Sequence, residues 1–439
     1  MKMSQINNKS QQINDKSQQI LLDRPSGKLS DRPSGKLSDR LSGKLSDRLS
    51  DNLLDRLSGR LQEFLPEIIA LNDYLANHPE LSGEEYLACK AMTNILKTHG
   101  FQIEEKIANL ETSFRGIYGA NNHTYKVAIL AEYDALKDLG HGCGHCVSGS
   151  ISMLAALALA QCQEELDTDI HIIGTPGEEL YASKCDMVNL GVFDDYDLAI
   201  MLHLNNKNLI HSKLYAIDTF QYNFHGKAAH AAAAPWEGAN ALNAVQLFFH
   251  AMDMLRQHVL PDTKLHGIIV NGGSAANIVP DEASVEINIR SGETSYLDEL
   301  NRLVDDCARG AAIATQTTWD KSRTSDRNCE LLKNETGVQV LGEIYRELGI
   351  QVEDDGSFFG SSDIGNVSYK CPTFHPTLNI TEDRSPIHTQ GFANCVKTKK
   401  AHQAIELGAK VIGMQILKIF SSDELIKKMK EDFNSMIYE

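Results

Sequence analysis

Two histidines and two cysteines fall within six positions of GHGCGHCVSGS (residues 140–150), among glycines and serines that pack poorly. Hydrophobic burial does not explain such a segment. A thiolate and an imidazole are, however, what a borderline-soft divalent ion such as zinc or manganese takes. Asp134 lies just upstream in YKVAILAEYDAL (125–136), so Asp134, His141, Cys143, His145 and Cys146 all follow one predicted strand. Glu178 and Glu179 follow a second, DIHIIGTPGEE (169–179), and His203 comes with a third, LAIMLHL (198–204). GKAAHAAAAP (226–235) and SPIHTQG (385–391) add His230 and His388 on two more loops. The glutamate pair has a physical logic. One carboxylate can bind a metal while its neighbour, pointing elsewhere, takes a proton from the water that the metal activates. That is apparatus for hydrolysing an amide.

Each residue also has a plainer reading. A lone histidine is more often a satisfied surface or half-buried residue than a ligand. Cys143 and Cys146 form a C-x-x-C, but a structural zinc site needs a second pair at similar spacing, and the sequence has none. A thioredoxin-like motif would sit at a helix start in a small βαβ unit without flanking histidines. Adjacent glutamates are common on solvated helix faces, yet Glu178 and Glu179 follow IIGTPG, a buried strand and turn. The signals are weak singly and strong together.

The elements that must position these groups alternate as an α/β pattern from about residue 63. Helices are predicted at 63–77, in EEYLACKAMTNILKTHG and in SISMLAALALAQCQ, between the strands named above. This rhythm predicts a mainly parallel sheet with helices on both faces, whose loops at the carboxyl ends of strands carry the site. Between 214 and 326 the order becomes β-α-β-β-α, an α+β insert, after which the α/β pattern resumes at 327–439 with a long helix from about 396.

Residues 23–62 hold five copies of an eight-residue unit, beginning DRPSGKLS. Residues 1–62 carry 12 Lys+Arg against 7 Asp+Glu, a charge of +5, which leaves −22 for the rest of a chain whose total is −17. Pro25, Pro33 and the early glycines oppose a helix, so 1–62 is expected to be a low-complexity, disordered extension. From Leu41 onward, leucines recur every four residues, so that part of it has a helical pattern running into 63–77. The acidic balance argues against nucleic-acid binding. MKMSQINNKSQQIND has no apolar core of a secretory signal, and ISMLAALALA is too short to span a bilayer of roughly 30 Å. Nine scattered cysteines do not form a disulfide framework, and a reducing, cytoplasmic location is expected.

Five spaced segments carry a family likeness. LAEYDALKDLGHGCGH, GTPGEE, NFHGKAAHAAAAPWEGANALNAV, HGIIVNGGSAANIVPDEASVEINIR and GSSDIGNV, in this order, resemble the M20 metallopeptidases over roughly 63–415. The likeness is to the amidohydrolase branch of that family, which includes aminobenzoyl-glutamate hydrolases and M20 domain-containing dipeptidases. It implies a phosphorylase/hydrolase-like α/β catalytic domain and an inserted ferredoxin-like lid that also makes a homodimer. It also implies two divalent metal ions per subunit, zinc or manganese. Carried over by position, Cys143 is implied as the bridging ligand, with His145, Glu179, His203 and His388 as the others. Glu178 is implied as general base, and Asp134 as a residue that orients a ligand. His230 matches the histidine that reaches the partner subunit's site to stabilise the oxyanion. Asn277 and Arg290 match residues that hold the substrate's carboxylate, Arg290 as a bidentate fork.

Two positions depart from the family pattern. Cys146 stands where Asp or Asn usually follows CGH, and LYASKCD replaces the glycine-rich run after the glutamates. Neither removes a ligand. The expected function is hydrolysis of the amide bond of a dipeptide or an N-acyl or aminobenzoyl amino acid with a free carboxylate. The alternatives are a catalytically inactive, M20-like binding protein and a regulated enzyme whose basic repeat tail recruits an acidic partner or a membrane surface. No nucleic-acid or membrane partner is expected.

Overall fold

The computed structural model describes residues 42–438 apart from 354, 355 and 359. The first units of the repeat, up to residue 41, therefore lie outside the described residues. The strands run β1 (Gln102–Glu105), β2 (Phe114–Ile117), β3 (Tyr125–Ala131), β4 (Thr168–Gly174), β5 (Leu198–Ile200) and β6 (His203–Asn205). They continue with β7 (Ala216–His225), β8 (Lys264–Asn271), β9 (Glu282–Ser291), β10 (Thr318–Asn328), β11 (Thr373–Phe374) and β12 (Thr377–Asn379). Apolar runs without alternation make strands covered on both faces, and Thr168–Gly174 is buried at every position. These strands form a six-stranded sheet of order β1-β2-β4-β3-β5-β11. β4, β3, β5 and β11 are mutually parallel, and β2 and β1 close one edge antiparallel. The mainly parallel sheet is thus present, with an antiparallel edge the sequence did not signal.

The long helices are α1 (Ser42–Asn77), α2 (Tyr86–Thr98), α3 (His145–Leu159), α4 (Ala241–Leu255), α5 (Thr294–Thr315), α6 (Glu335–Glu347), α7 (Lys399–Phe420) and α8 (Asp423–Tyr438). α3 is buried at all its positions, which explains its mostly apolar sequence, and its Ser148, Ser150 and Ser152 each donate to a backbone carbonyl. α1 begins inside the repeat, 21 residues before the expected start at 63. Its Leu53, Leu57 and Leu61 are buried in the same core as α3 and α7. A Cβ on Gly413 of α7 would meet the Leu57 side chain at 2.6 Å, so the two helices approach closely there. The last units of the repeat therefore belong to the fold. Their leucines at four-residue spacing make an apolar stripe, and losing one such buried leucine costs about 2–5 kcal/mol.

The insert is a four-stranded antiparallel sheet of order β10-β7-β9-β8. Helices α4 and α5 pack on one face around Tyr222, Phe224, Phe248 and Val304. With β10 the order is β-α-β-β-α-β. This last strand was not foreseen because TWDKSRTSDRN is almost wholly polar, and pairing with β7 recruits it. It ends at Asn328, two residues past the expected boundary. β8 lies at a sheet edge and exposes Ile268, Ile269 and Val270. Lid and catalytic half meet where Asn366 donates to the Arg327 carbonyl (2.9 Å) and Arg290 Nη1 donates to Ser361 Oγ (2.7 Å).

Candidate active site

Three parallel strands end on one side of the sheet and deliver the predicted residues there. Beyond β3 come Glu132 and Asp134, and the chain then loops back to start α3. Gly144, at φ 85°, makes the turn between Cys143 and His145; a Cβ there would also press on Leu204 and Phe392. Beyond β4, Gly177 at φ 71° starts the short helix Glu178–Tyr181, so both glutamates sit in its first turn. His203 opens β6. His388 is held at φ 61°, a conformation uncommon outside glycine, and its N–H donates to the Gly142 carbonyl at 2.8 Å. That bond ties the last loop to the first.

These positions bring Cys143, His145, Glu178, Glu179, His203 and His388 together. Ligating atoms lie within 4.8 Å of one another in each of three sets: Cys143, His145 and His203; Cys143, Glu179 and His388; His145, Glu178 and Glu179. Cys143 Sγ is 3.5 Å from His203 Nε2, and His388 Nε2 is 3.5 Å from Glu179 Oε1. The rings are oriented from behind. His145 Nδ1 donates to Asp134 Oδ1 (2.8 Å) and His203 Nδ1 to the Leu204 carbonyl (2.7 Å), which turns both Nε2 atoms inward. Asp134 is itself fixed by Ser82 Oγ (2.7 Å) and the Glu179 N–H (3.0 Å).

Buried polar atoms normally find partners. Here His145 Nε2 and Glu132 Oε2 face each other at 3.3 Å and Glu179 Oε1 faces His388 Nε2 at 3.5 Å, yet none of the three buried atoms makes a hydrogen bond. Thiolate, imidazole and carboxylate donors that converge with open valences fit a divalent cation.

The field at the site is negative. Burial, followed by the charges of Glu132, Asp363 and Glu179, holds the Glu178 carboxyl well above its ordinary range. Burial would do the same to Asp134, but His145 and the donors around it bring it down to about 2. Burial pushes the Cys143 thiol well up and holds His203 down at about 4. Behind the glutamates, the fully buried Lys184 reaches Glu132 Oε1 (2.6 Å) and Asp363 Oδ1 (2.7 Å).

A cavity of about 430 Å³ opens onto the cluster, lined by Cys143, Glu178, Glu179, His203 and His388 on the catalytic side and by Arg290 from the lid. Ser361 receives the Arg290 hydrogen bond at the cavity wall. His230 and Asn277 do not line this cavity. They form an exposed strip of the lid, where the Ala231 N–H donates to the Asn277 carbonyl (3.0 Å). His141 is buried beside the loop but belongs to none of the ligating sets.

Both departures acquire a structural account. Cys146 is buried in the apolar core, its thiol pushed up to about 12 by burial, while the support of His145 comes from Asp134. LYASKCD carries Lys184. Leu180 of the same segment lines the cavity, and Tyr181 packs over Gly83. Glu132, Lys184, Asp363 and His375 were not singled out from the sequence. AEYD, with Glu132 two positions before Asp134, and GSSDIGNV, which contains Asp363, held a signal for two of them.

Comparison with known proteins places this geometry among hydrolases. Residues 213–315 match the family model described as a peptidase dimerisation domain. The Xaa-Arg dipeptidase of Mus musculus is 30% identical over 401 residues, covering 87% of this chain and 92% of that protein. A p-aminobenzoyl-glutamate hydrolase subunit of Escherichia coli is 26% identical over 439 residues, covering 82% of this chain and 90% of that protein. Among solved structures, a dinuclear metal-binding M20 peptidase of Bacillus subtilis superposes with a TM-score of 0.65 at 18% identity. That match covers 82% of this chain and 99% of the other.

Proposed function

The chain belongs to the M20 family of metallopeptidases and is a hydrolase, and on that premise we propose that it cleaves the amide bond of a dipeptide or N-acyl amino acid bearing a free carboxylate. One observation carries the reading. The Cys143, His145, Glu178, Glu179, His203 and His388 cluster forms one wall of a cavity that also holds the Arg290 guanidinium. In this reading Cys143, His145, Glu179, His203 and His388 hold two divalent ions, zinc or manganese. Such ions, when bound, acidify water and polarise a carbonyl.

The chain's own residues do the rest. Glu178, which lies within reach of His145 and Glu179, acts as the general base, taking the proton of the attacking water and passing it to the leaving amine. Asp134 holds His145 in the tautomer that leaves Nε2 available. Arg290, steadied by Ser361, receives the substrate carboxylate as a two-pronged donor. A homodimer through the lid is supported by the matched dimerisation domain and by the exposed apolar edge strand β8. In that dimer His230 and Asn277 serve the partner subunit's cavity, His230 at the oxyanion and Asn277 at the carboxylate. Nine unpaired cysteines support a reducing compartment, the cytoplasm.

The test is elemental analysis and hydrolysis on one preparation, with a panel of Xaa-Arg and other dipeptides, N-acyl amino acids and aminobenzoyl-glutamate. Close to two metals per chain, with turnover falling about 10²–10⁴-fold in Glu178→Ala, is the expected result. Metal without hydrolysis of any substrate would point instead to a binding protein. Absence of metal would overturn the proposal.

A further inference from the structure

His375 is a buried imidazole at the cavity wall that nothing in the protein uses. Its side chain is 2% exposed, and neither Nδ1 nor Nε2 has a hydrogen-bond partner. The backbone sets it there. β11 and β12 run parallel to β5 and β6, with Phe374 opposite Ile200 and Thr377 opposite His203. The His203 N–H donates to the Pro376 carbonyl (3.0 Å), and the His375 carbonyl accepts from Ser212 Oγ (2.8 Å). The carbonyl is thus satisfied while the ring is not. The ring centroids of His375 and His203 lie 5.3 Å apart, and both residues line the cavity.

Three roles compete for such a residue. It is not a core histidine, because a buried ring without partners is worse there than a phenylalanine of similar shape. It is not one of the ligating residues, since it belongs to none of the sets of three ligating side chains among the described residues. The remaining partner is a molecule that enters the cavity. A neutral imidazole offers it one N–H and one lone pair.

We infer, resting on the amide-hydrolase reading of this cavity, that His375 is a substrate-binding residue whose ring hydrogen bonds an amide or carboxyl group of the bound substrate beside His203. It acts alongside Arg290, from the catalytic half of the cavity rather than from the lid.

The experiment compares metal-loaded wild type, His375→Phe and His375→Gln on the fastest-cleaved member of the substrate panel. Phenylalanine keeps the ring's shape and deletes both nitrogens; glutamine restores a donor and an acceptor. The expected result is a fall in kcat/KM of about 10–100-fold in His375→Phe, expressed mainly as a higher KM. Metal content and Tm should be unchanged, and His375→Gln should recover part of the loss. Binding of the same substrate to Glu178→Ala and to Glu178→Ala/His375→Phe, by calorimetry, should show a matching loss of affinity. A His375→Phe enzyme within twofold of wild type overturns the inference while leaving the amide-hydrolase reading intact. Loss of metal together with activity also overturns it, by assigning the ring to the metal site. A wild type that cleaves nothing in the panel overturns the reading itself, and this inference with it.

Discussion

Two charge clusters, one in each half of the molecule, are each built on a buried carboxylate and end differently. In the lid, both oxygens of Asp218 are taken by Arg323, by Arg327 (2.6 Å) and by Asn301 (2.7 Å), and Arg327 also reaches Asp298 (2.7 Å). Two guanidiniums face two carboxylates, and the charge balances. In the catalytic half, Glu132, Asp134, Glu178, Glu179 and Asp363 crowd around Lys184 and the site histidines, and Glu132 Oε2, Glu179 Oε1 and His145 Nε2 make no hydrogen bond. That cluster lacks positive charge and has acceptors to spare. A balanced cluster is a fastener; an unbalanced one at a cavity is a place for a cation and a substrate.

The unbalanced cluster is most vulnerable at Lys184. Lys184→Met leaves Glu132 and Asp363 buried without their cation, and breaking a buried pair in this way costs about 3–5 kcal/mol. Urea unfolding of the variant should show that loss. A wild-type midpoint would mean that the lysine does not hold the site together.

Removing the metal tests the same imbalance from the other side. Chelation should lower stability by about 3 kcal/mol if the ions are present near a hundredfold over their dissociation constant. The loss should appear in the catalytic half. Hydrogen exchange of the lid strands, unchanged on chelation, would sharpen the contrast; equal losses in both halves would erase it.

The smallest effect belongs to the balanced cluster, and it depends on pH. Burial would raise the Asp218 carboxyl, but Arg327 and Arg323 bring it down to about 2. A depressed native value means that the unfolded chain binds the proton first. The contribution is therefore fully present above the unfolded value of about 3.9 and disappears as pH falls through about 2. Asp218→Asn should cost about 2 kcal/mol at pH 7, and the gap to wild type should narrow between pH 4 and pH 2. A gap independent of pH would assign the loss to packing.

The sequence and the structure agree where a residue's chemistry and its local pattern coincide. Cys143, His145, Glu178, Glu179 and His203 follow strands marked by apolar runs, so both type and place were legible. Lys184 was not, because its partners are 52 and 179 residues away and a lysine in LYASKCD carries no sign of burial. His375 sits in CPTFHPTLNI as one histidine in an apolar stretch, and only its missing partners distinguish it. β10 was hidden by its polar sequence. The start of α1 was half visible, since the leucine spacing showed a helix but not the core it would meet. His230 and Asn277 matched a family pattern, yet a single chain leaves them outside the cavity, and it is the proposed dimer that would give them a role.

The insertion of the lid between β6 and β11 has a consequence for synthesis. Cys143, His145, Glu179 and His203 leave the ribosome before the lid, whereas His375 and His388 follow more than a hundred residues later. Until that last segment arrives, β5 lacks its neighbour β11, β6 lacks β12, and the cavity wall has no His388. The newborn chain is thus without the full wall of the cavity until the segment that carries β11, β12 and His388 has been made.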